Sequence, residues 1–372
     1  MLKKLKTVIA KKATFICKKE CIEKFIQPHD QIMYALINYN KIRNQAITEV
    51  SADLCLARGT VVRWIELKNV PPQYSFDIMK MNDEDIDYTK YTDTEKDQFY
   101  TPTDTVKRCY EIFENKLVEL GDDISEYRFI EPAAGAGAFL EVLPSNTIAL
   151  DIEPNSDLVE QADYLTWEPP KNDKYVVFGN PPFGLRGNLA LRFVKHSESF
   201  SDYVCFILPQ LFESDGKGSP RKRIKGLNLI FSEVISSSFN MPDGRETTVN
   251  VVFQIWSKHF KDDKYKIKSY NKKDIKVYSL SNGEEKSQQR NTNMLNKCDI
   301  YLPSTCFGED KMRCYDSFSQ LPGQKGYGLV FHGNKKKMTE KAKQISWGKV
   351  SFLSTNSAYN LRTSIILEAL SE

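Results

Sequence analysis

The stretch Val176-Val177-Phe178-Gly179-Asn180-Pro181-Pro182-Phe183-Gly184 drives an apolar run straight into an amide and two prolines. The apolar half reads as a central strand. Proline cannot continue it, because it has no N–H for the ladder. The residue before a proline is pushed to extended geometry, so Asn180 is held stiffly at the strand's end. A plain strand stop followed by a turn accounts for the pattern as well as a functional reading does. On the functional reading the stiff segment presents the Asn180 side-chain carbonyl, a backbone carbonyl and the Phe183 ring to one ligand.

Working outward, four more runs share the apolar character of this one: RFIEP from Arg128, TIALDIEP from Thr147, YVCFILP from Tyr203 and NVVFQIW from Asn250. Helical patterns separate them, and that alternation predicts a parallel or mostly parallel α/β sheet over residues 98–257. Residues 1–80 read as an N-terminal helical unit and 81–97, acidic and polar, as a linker. The strongly polar 258–297 is expected to be a second linker or an exposed insertion. Residues 298–372 suggest a small C-terminal α+β module.

Acids and glycines stand at the strand ends. Glu131 closes the first strand, and the turn after it carries Gly135 and Gly137, which let a backbone approach a ligand with a helix N-terminus behind it. Alone, Gly-x-Gly marks a tight turn as readily as a cofactor site, but ligands of open α/β sheets bind at this end of the strands. Asp151, at the tip of the second strand, is placed to bind paired ribose hydroxyls. Asp163 follows what could be a third strand and could accept from an exocyclic amine. Either acid alone is more often a solvated loop charge. Glycine turn, acid, acid and Asn-Pro-Pro-Phe, in that order, make one constellation.

With Phe99-Tyr100-Thr101-Pro102 upstream, this order resembles the class I S-adenosylmethionine-dependent methyltransferases, specifically the gamma-type adenine enzymes that methylate DNA amino groups. The resemblance covers about residues 97–257. It implies a Rossmann-like mixed sheet, flanked here by the helical unit and the C-terminal module, and S-adenosyl-L-methionine as cofactor. Glu131 would then meet the methionine ammonium, Gly135 and Gly137 would line the cofactor, Asp151 would hold the ribose and Asp163 the adenine amine. Thr101 and Pro102 would close over the amino-acid end. Asn180 and the Pro181 carbonyl would accept from the target amine, Pro182 would stiffen the motif, and Phe183 would stack on a flipped base.

The partner implied is double-stranded DNA. Residues 46–72 resemble a helix-turn-helix, with Ile47, Val50 and Leu54 on one apolar face and Val61 and Ile65 on the next. Arg58, Gly59, Thr60 and Arg63 would face outward on the recognition helix. Cys55 stands where a turn glycine is usual and Ser51 where a small alanine is usual. A helical bundle that only packs on the catalytic domain is the competing reading. A second candidate is the 216–226 loop, with Lys217, Arg221, Lys222, Arg223 and Lys225 and no acid, expected at a sheet edge as a loop that tracks the DNA backbone.

Composition bounds the rest. A net charge of +3 over 372 residues leaves any nucleic-acid affinity to local clusters. No run approaches the ~18 apolar residues of a membrane span, so a soluble cytoplasmic protein is expected. The first 19 residues hold seven lysines and no acid, which reads as a solvated basic helix rather than a targeting signal. Eight cysteines without a C-x-x-C pair, and four unmatched histidines, predict reduced thiols and no metal site. The reading is a DNA adenine methyltransferase of restriction-modification or phage/virus type, with a cognate restriction endonuclease as a candidate partner. Its rivals are an RNA adenine or DNA cytosine-N4 methyltransferase, or a DNA-binding regulator that only senses cofactor.

Overall fold

The computed structural model describes residues 3–4, 6–11, 43–92, 101–171, 173–214, 219–240, 246–266, 274–284, 288–353 and 358–371. Seven strands form the main sheet: β1 (Tyr127–Glu131), β2 (Ile148–Asp151), β3 (Glu160–Gln161), β4 (Lys174–Gly179), β5 (Tyr203–Pro209), β6 (Asn228–Asn240) and β7 (Glu246–Ser257). Their order is β3-β2-β1-β4-β5-β7-β6. The first five pair in parallel, while β7 runs antiparallel to both β5 and β6. This is a Rossmann-like mixed sheet. All five apolar runs read from the sequence lie in it as strands.

Burial explains why those runs were readable. Every residue of β5, and all of β4 after Lys174, is buried, because helices cover both faces. The helix Thr103–Leu120 supplies Val106, Cys109, Phe113 and Leu117 to one face, where the Phe113 ring meets Phe129 and Phe178 edge-on. Pro102 precedes this helix and Gly121 ends it in the left-handed conformation. On the other face Asn188–Ser197 buries Ala190, Leu191, Phe193 and Val194 against β4 and β5.

The N-terminal unit has its own core of Ile47, Val50, Leu54, Val61, Trp64, Tyr74 and Ile78. A helix over 43–53 and the helix Arg58–Glu66 meet through a turn in which Cys55 takes φ 48°, the left-handed backbone a glycine would favour. Ser51 is buried but satisfied, its hydroxyl donating to the Ile47 carbonyl at 2.6 Å. Both departures from the usual pattern are thus accommodated. Trp64, more than Ile65, carries the apolar face of the second helix.

Two expectations are revised. The polar 258–297 stretch is not all linker: β8 (Ile275–Asn282) and β9 (Gln289–Arg290) lie in it, in a second sheet with β10 (Ile300–Pro303) and β12 (Lys325–Phe331). β8 pairs with β12 over seven residues, from Ile275 opposite Phe331 to Ser281 opposite Lys325. Its lysine and serine mark a half-exposed antiparallel strand, whose alternation is hidden in a polar background. Nor does the 216–226 loop leave from a sheet edge, since β5, which precedes it, is flanked by β4 and β7. A three-stranded sheet, β11 (Thr305–Cys306), β13 (Phe352–Leu353) and β14 (Tyr359–Asn360), completes the C-terminal part with the helices Lys335–Gln344 and Thr363–Ser371.

Among the described residues no helix is long and apolar enough to cross a membrane, and no cluster of His, Cys, Asp and Glu could hold a metal ion. Cys55, Cys109, Cys205, Cys298, Cys306 and Cys314 are free thiols, while Cys17 and Cys21 lie outside the described residues.

Candidate active site

The strand order reverses between β1 and β4, so their carboxyl ends open a crevice at the sheet's switch point. Glu131 ends β1 and Asn180 follows β4, and the parallel register of Ile130 with Val177 brings the two strand ends side by side. Gly135 and Gly137 both have positive φ, 53° and 83°. The resulting turn is pinned to the next strand: the Gly135 N–H donates to Asp151 Oδ2 at 2.8 Å, and the Glu153 N–H to Asp151 Oδ1 at 2.8 Å. With about four lone pairs on its two oxygens, the carboxylate keeps acceptor capacity for a ligand hydroxyl.

These elements enclose a cavity of about 200 Å³. Thr101, Glu131, Gly135, Asp151, Asp163 and the whole of Asn180-Pro181-Pro182-Phe183 line it, whereas Pro102 and Gly137 do not. Phe99 and Tyr100 lie outside the described residues. Two polar atoms in the cavity are buried without a partner among the described residues, Glu131 Oε2 and Asn180 Oδ1. The Asn180 amide is held by its nitrogen, which donates to Thr101 Oγ1 at 3.1 Å, so its carbonyl oxygen stays available. Burial, with the neighbouring Asp151 charge adding to it, holds the Glu131 carboxyl well above the usual carboxylate range. Burial raises Asp151 too, against the backbone N–H bonds that favour its charged form.

One wall of the cavity was not foreseen. Gln73, Phe76, Asp77, Lys80 and Tyr88 of the N-terminal part lie across it. Phe76 packs on Tyr88 at 5.4 Å and on Tyr91 at 4.7 Å, so the stretch read as a linker is anchored here. Two tyrosines in a polar run were the only sequence signal. Asp163, expected to wait for an adenine amine, accepts from Lys80 Nζ at 2.6 Å and from the Leu165 N–H at 3.1 Å. A half-buried ion pair between Arg192 and Asp77, at 2.5 Å, joins the same wall to the helix after the Asn-Pro-Pro-Phe segment.

The donor set fits S-adenosylmethionine. Among the described residues Asp77, Glu131, Asp151, Glu153 and Asp163 line the cavity, with Lys80 as the one cation. Arg192 and Lys80 neutralise Asp77 and Asp163. That leaves a buried carboxyl short of a donor for an ammonium and Asp151 for ribose hydroxyls. Nothing in the lining suits a nucleoside phosphate.

The other face of the same segment opens on a cleft of about 1980 Å³. Leu185, Arg186, Gly187 and Asn188 line it, as do Gly59, Thr60 and Arg63 of the Arg58–Glu66 helix and the Pro220–Arg223 turn. Arg58 does not; its guanidinium is bonded to Asn44 Oδ1. Of the basic loop, Lys222 and Arg223 line the cleft, and Lys217 lies outside the described residues. Arg221 and Arg223 are already bonded: Arg221 donates to the Glu213 and Tyr265 carbonyls, and Arg223 to the Cys55 carbonyl. Lys225 is exposed away from the lining, its N–H on Glu198 Oε1 at 3.1 Å. Asn188 Nδ2 also donates to the Leu54 carbonyl, at 2.6 Å. The helix-turn-helix-like turn is therefore tied to the Asn188–Ser197 helix and to Arg223, while its second helix faces the cleft. Arg290 and Arg362 enter from the C-terminal part, which isolated cations in a polar background gave no means of foreseeing.

No protein-family model matches the sequence, and no curated protein matches it. Several solved structures share part of the fold. A protein of Pyrococcus horikoshii described as a candidate RNA methyltransferase is 15% identical, covering 44% of this chain and 87% of its own, with a TM-score of 0.33. A chain of a type I R-M system is 13% identical, with 70% of each chain covered and a TM-score of 0.32. A Thermoplasma acidophilum protein is 14% identical, covering 42% of this chain and 97% of its own, with a TM-score of 0.27.

Proposed function

We propose that the protein is a DNA adenine methyltransferase acting on the exocyclic N6 amine of a flipped adenine, with S-adenosyl-L-methionine as methyl donor. The observation that carries this reading is the pair of buried, unpartnered oxygens, Glu131 Oε2 and Asn180 Oδ1, in one cavity at the sheet's switch point. Each lacks a hydrogen-bond donor, and a buried acceptor left unmet is costly. An amino-acid ammonium supplies the first donor and a target amine the second.

When bound, the cofactor supplies a methyl group activated on a sulfonium. Glu131 anchors the ammonium as a carboxylate, and Asp151 orients the ribose. Asn180 Oδ1 and the Pro181 carbonyl accept the two amine hydrogens, which turns the nitrogen lone pair toward the methyl group. The nitrogen gains positive charge in the transition state, so acceptors aimed at it act where charge develops. No strong base is needed, since the methylated ammonium is acidic and gives its proton to solvent. Phe183 offers a ring face to a base that cannot be reached inside a duplex. The helix-turn-helix-like pair beside the cleft favours duplex DNA over RNA.

The test is transfer of a labelled methyl group to unmethylated duplex DNA and to RNA, followed by nucleoside analysis. Label in N6-methyladenine from the duplex is expected. Label only in RNA, or in N4-methylcytosine, moves the substrate, and label in no nucleic acid overturns the reading.

A further inference from the structure

The Asn-Pro-Pro-Phe segment runs into a turn that methyl transfer, as described above, does not use. Residues Asn180 to Phe183 line the cofactor cavity, and Leu185 to Asn188 line the cleft. The turn between them is left-handed three times: Gly184 at φ 65°, Arg186 at φ 56° and ψ 36°, and Gly187 at φ 68°. At 184 glycine is obligatory, because an added Cβ would stand 2.6 Å from Leu189 Cβ. At 186 the chain keeps a full side chain in a backbone conformation that a Cβ disfavours.

Backbone bonds hold the turn, the Gly187 N–H donating to the Gly184 carbonyl at 3.2 Å and the Leu189 N–H to the Phe183 carbonyl at 3.1 Å, but none of them uses the Arg186 side chain. The Arg186 side chain is exposed, and among the described residues it makes no hydrogen bond and no ion pair. Strain held where no contact needs it points to a side chain wanted for an external partner. The surroundings identify that partner's charge. Among the described residues Arg63, Arg186, Lys222, Arg223, Arg290 and Arg362 line the cleft, and no described acid does. Arg63, Lys222 and Arg290, like Arg186, form no ion pair with a described residue. Three parts of the chain thus turn unneutralised cations into one space, which fits a polyanion.

We propose that Arg186 grips the phosphate backbone of the strand carrying the target nucleotide, at the mouth between cleft and cofactor cavity. The proposal rests on the nucleic-acid methyltransferase reading and names a positioning residue for it. Arg186 lies three residues past Phe183, so the two Cα atoms are within about 11 Å. A phosphate held there keeps its nucleotide beside Asn180 while the base is out of the stack. A guanidinium suits this because it forks onto two phosphate oxygens and fixes direction as well as charge.

The experiment compares full-length wild type with Arg186→Gly and Arg186→Lys in three measurements: thermal unfolding, calorimetric S-adenosylmethionine affinity, and duplex binding and methylation across salt concentrations. Arg186→Gly relieves the backbone, so its unfolding temperature should be equal or higher, with cofactor affinity unchanged. Its methyl transfer should fall at least tenfold, and its log–log salt slope should flatten by roughly 0.9, one phosphate contact. Arg186→Lys should keep the slope and lose part of the transfer rate. A glycine variant that unfolds early makes Arg186 structural and overturns the proposal. So does one with wild-type transfer and slope. Failure of the methyltransferase reading appears instead in the wild type, as absence of transfer; the duplex titration, which needs no transfer, then still decides Arg186.

Discussion

The cofactor cavity and the cleft share the segment from Asn180 to Leu189 as a common wall, yet their linings are opposite in sign. Among the described residues five carboxyl groups and one lysine line the cavity, while six cations and no acid line the cleft. The total charge of +3 conceals this segregation. A small cationic donor and a polyanionic acceptor can approach one reacting centre from two sides without competing. Attraction acts over a few ångströms in the buried cavity, and over a screened surface in the open cleft.

The largest expected effect removes the group at which the two regions meet. Asn180→Ala should slow methyl transfer at least ~100-fold, as loss of a transition-state hydrogen-bonding group does. Its cofactor affinity should stay near wild type, because the cofactor contacts proposed for Glu131 and Asp151 lie at the ends of β1 and β2. Near-wild-type transfer in single-turnover kinetics would end the mechanism.

Asp151→Ala tests the anionic side alone. Losing charge-assisted hydrogen bonds should weaken S-adenosylmethionine binding by about 1.5–3 kcal/mol, roughly 10- to 150-fold. Unchanged calorimetric affinity in a folded variant would place the ribose elsewhere.

Protons sharpen the same side. Burial, then the Asp151 charge, raises the Glu131 pKa, so the ligand-free protein keeps a proton there above the ordinary carboxylate range. An ammonium ligand favours the carboxylate and expels that proton. Affinity should therefore climb with pH, by up to about tenfold per unit, until the raised pKa is passed. Stability of the ligand-free protein should run the other way. It is fully present below the unfolded carboxyl pKa and is lost as pH rises through the folded one. Calorimetry in buffers of different ionisation enthalpy reads the released proton, and Glu131→Gln should abolish the pH dependence.

On the cationic side, Lys222→Gln and Arg63→Gln should each flatten the salt dependence of duplex binding by roughly 0.9 in log–log slope. Arg221→Gln should leave the slope unchanged, because its guanidinium ties the Glu213 and Tyr265 carbonyls together. Equal slopes for all three variants would mean that the cleft does not hold DNA.

The smallest effect lies where the N-terminal part enters the cavity. Lys80 and Asp163 are both partly exposed, so their pair is worth about 0.2–1 kcal/mol. Lys80→Gln frees Asp163 for an adenine amine and should tighten cofactor binding by no more than about fivefold. Weaker binding instead would put Lys80 on the ligand.

The strands that helices cover on both faces are legible from residue order alone. β1, β2, β4 and β5 are continuous apolar runs, and that signal is local. The glycine turn, Asp151 at a strand tip and the proline-stiffened Asn180 were legible for the same reason, since each depends on backbone chemistry within a few residues. β6 and β8 were not legible. Serines in both, and Lys276 in β8, dilute the apolar pattern that would mark a strand. Only the tertiary structure decided that β1 and β4 are neighbours, which sets Glu131 beside Asn180. It alone brought Phe76, Lys80 and Tyr88 across the cavity, turned Arg221 and Arg223 onto backbone carbonyls, and carried Arg290 and Arg362 into the cleft. The reason is physical. A side chain's own sequence neighbours set its backbone conformation, but its electrostatic partners come from whichever strand or module packs against it, and no local period encodes that.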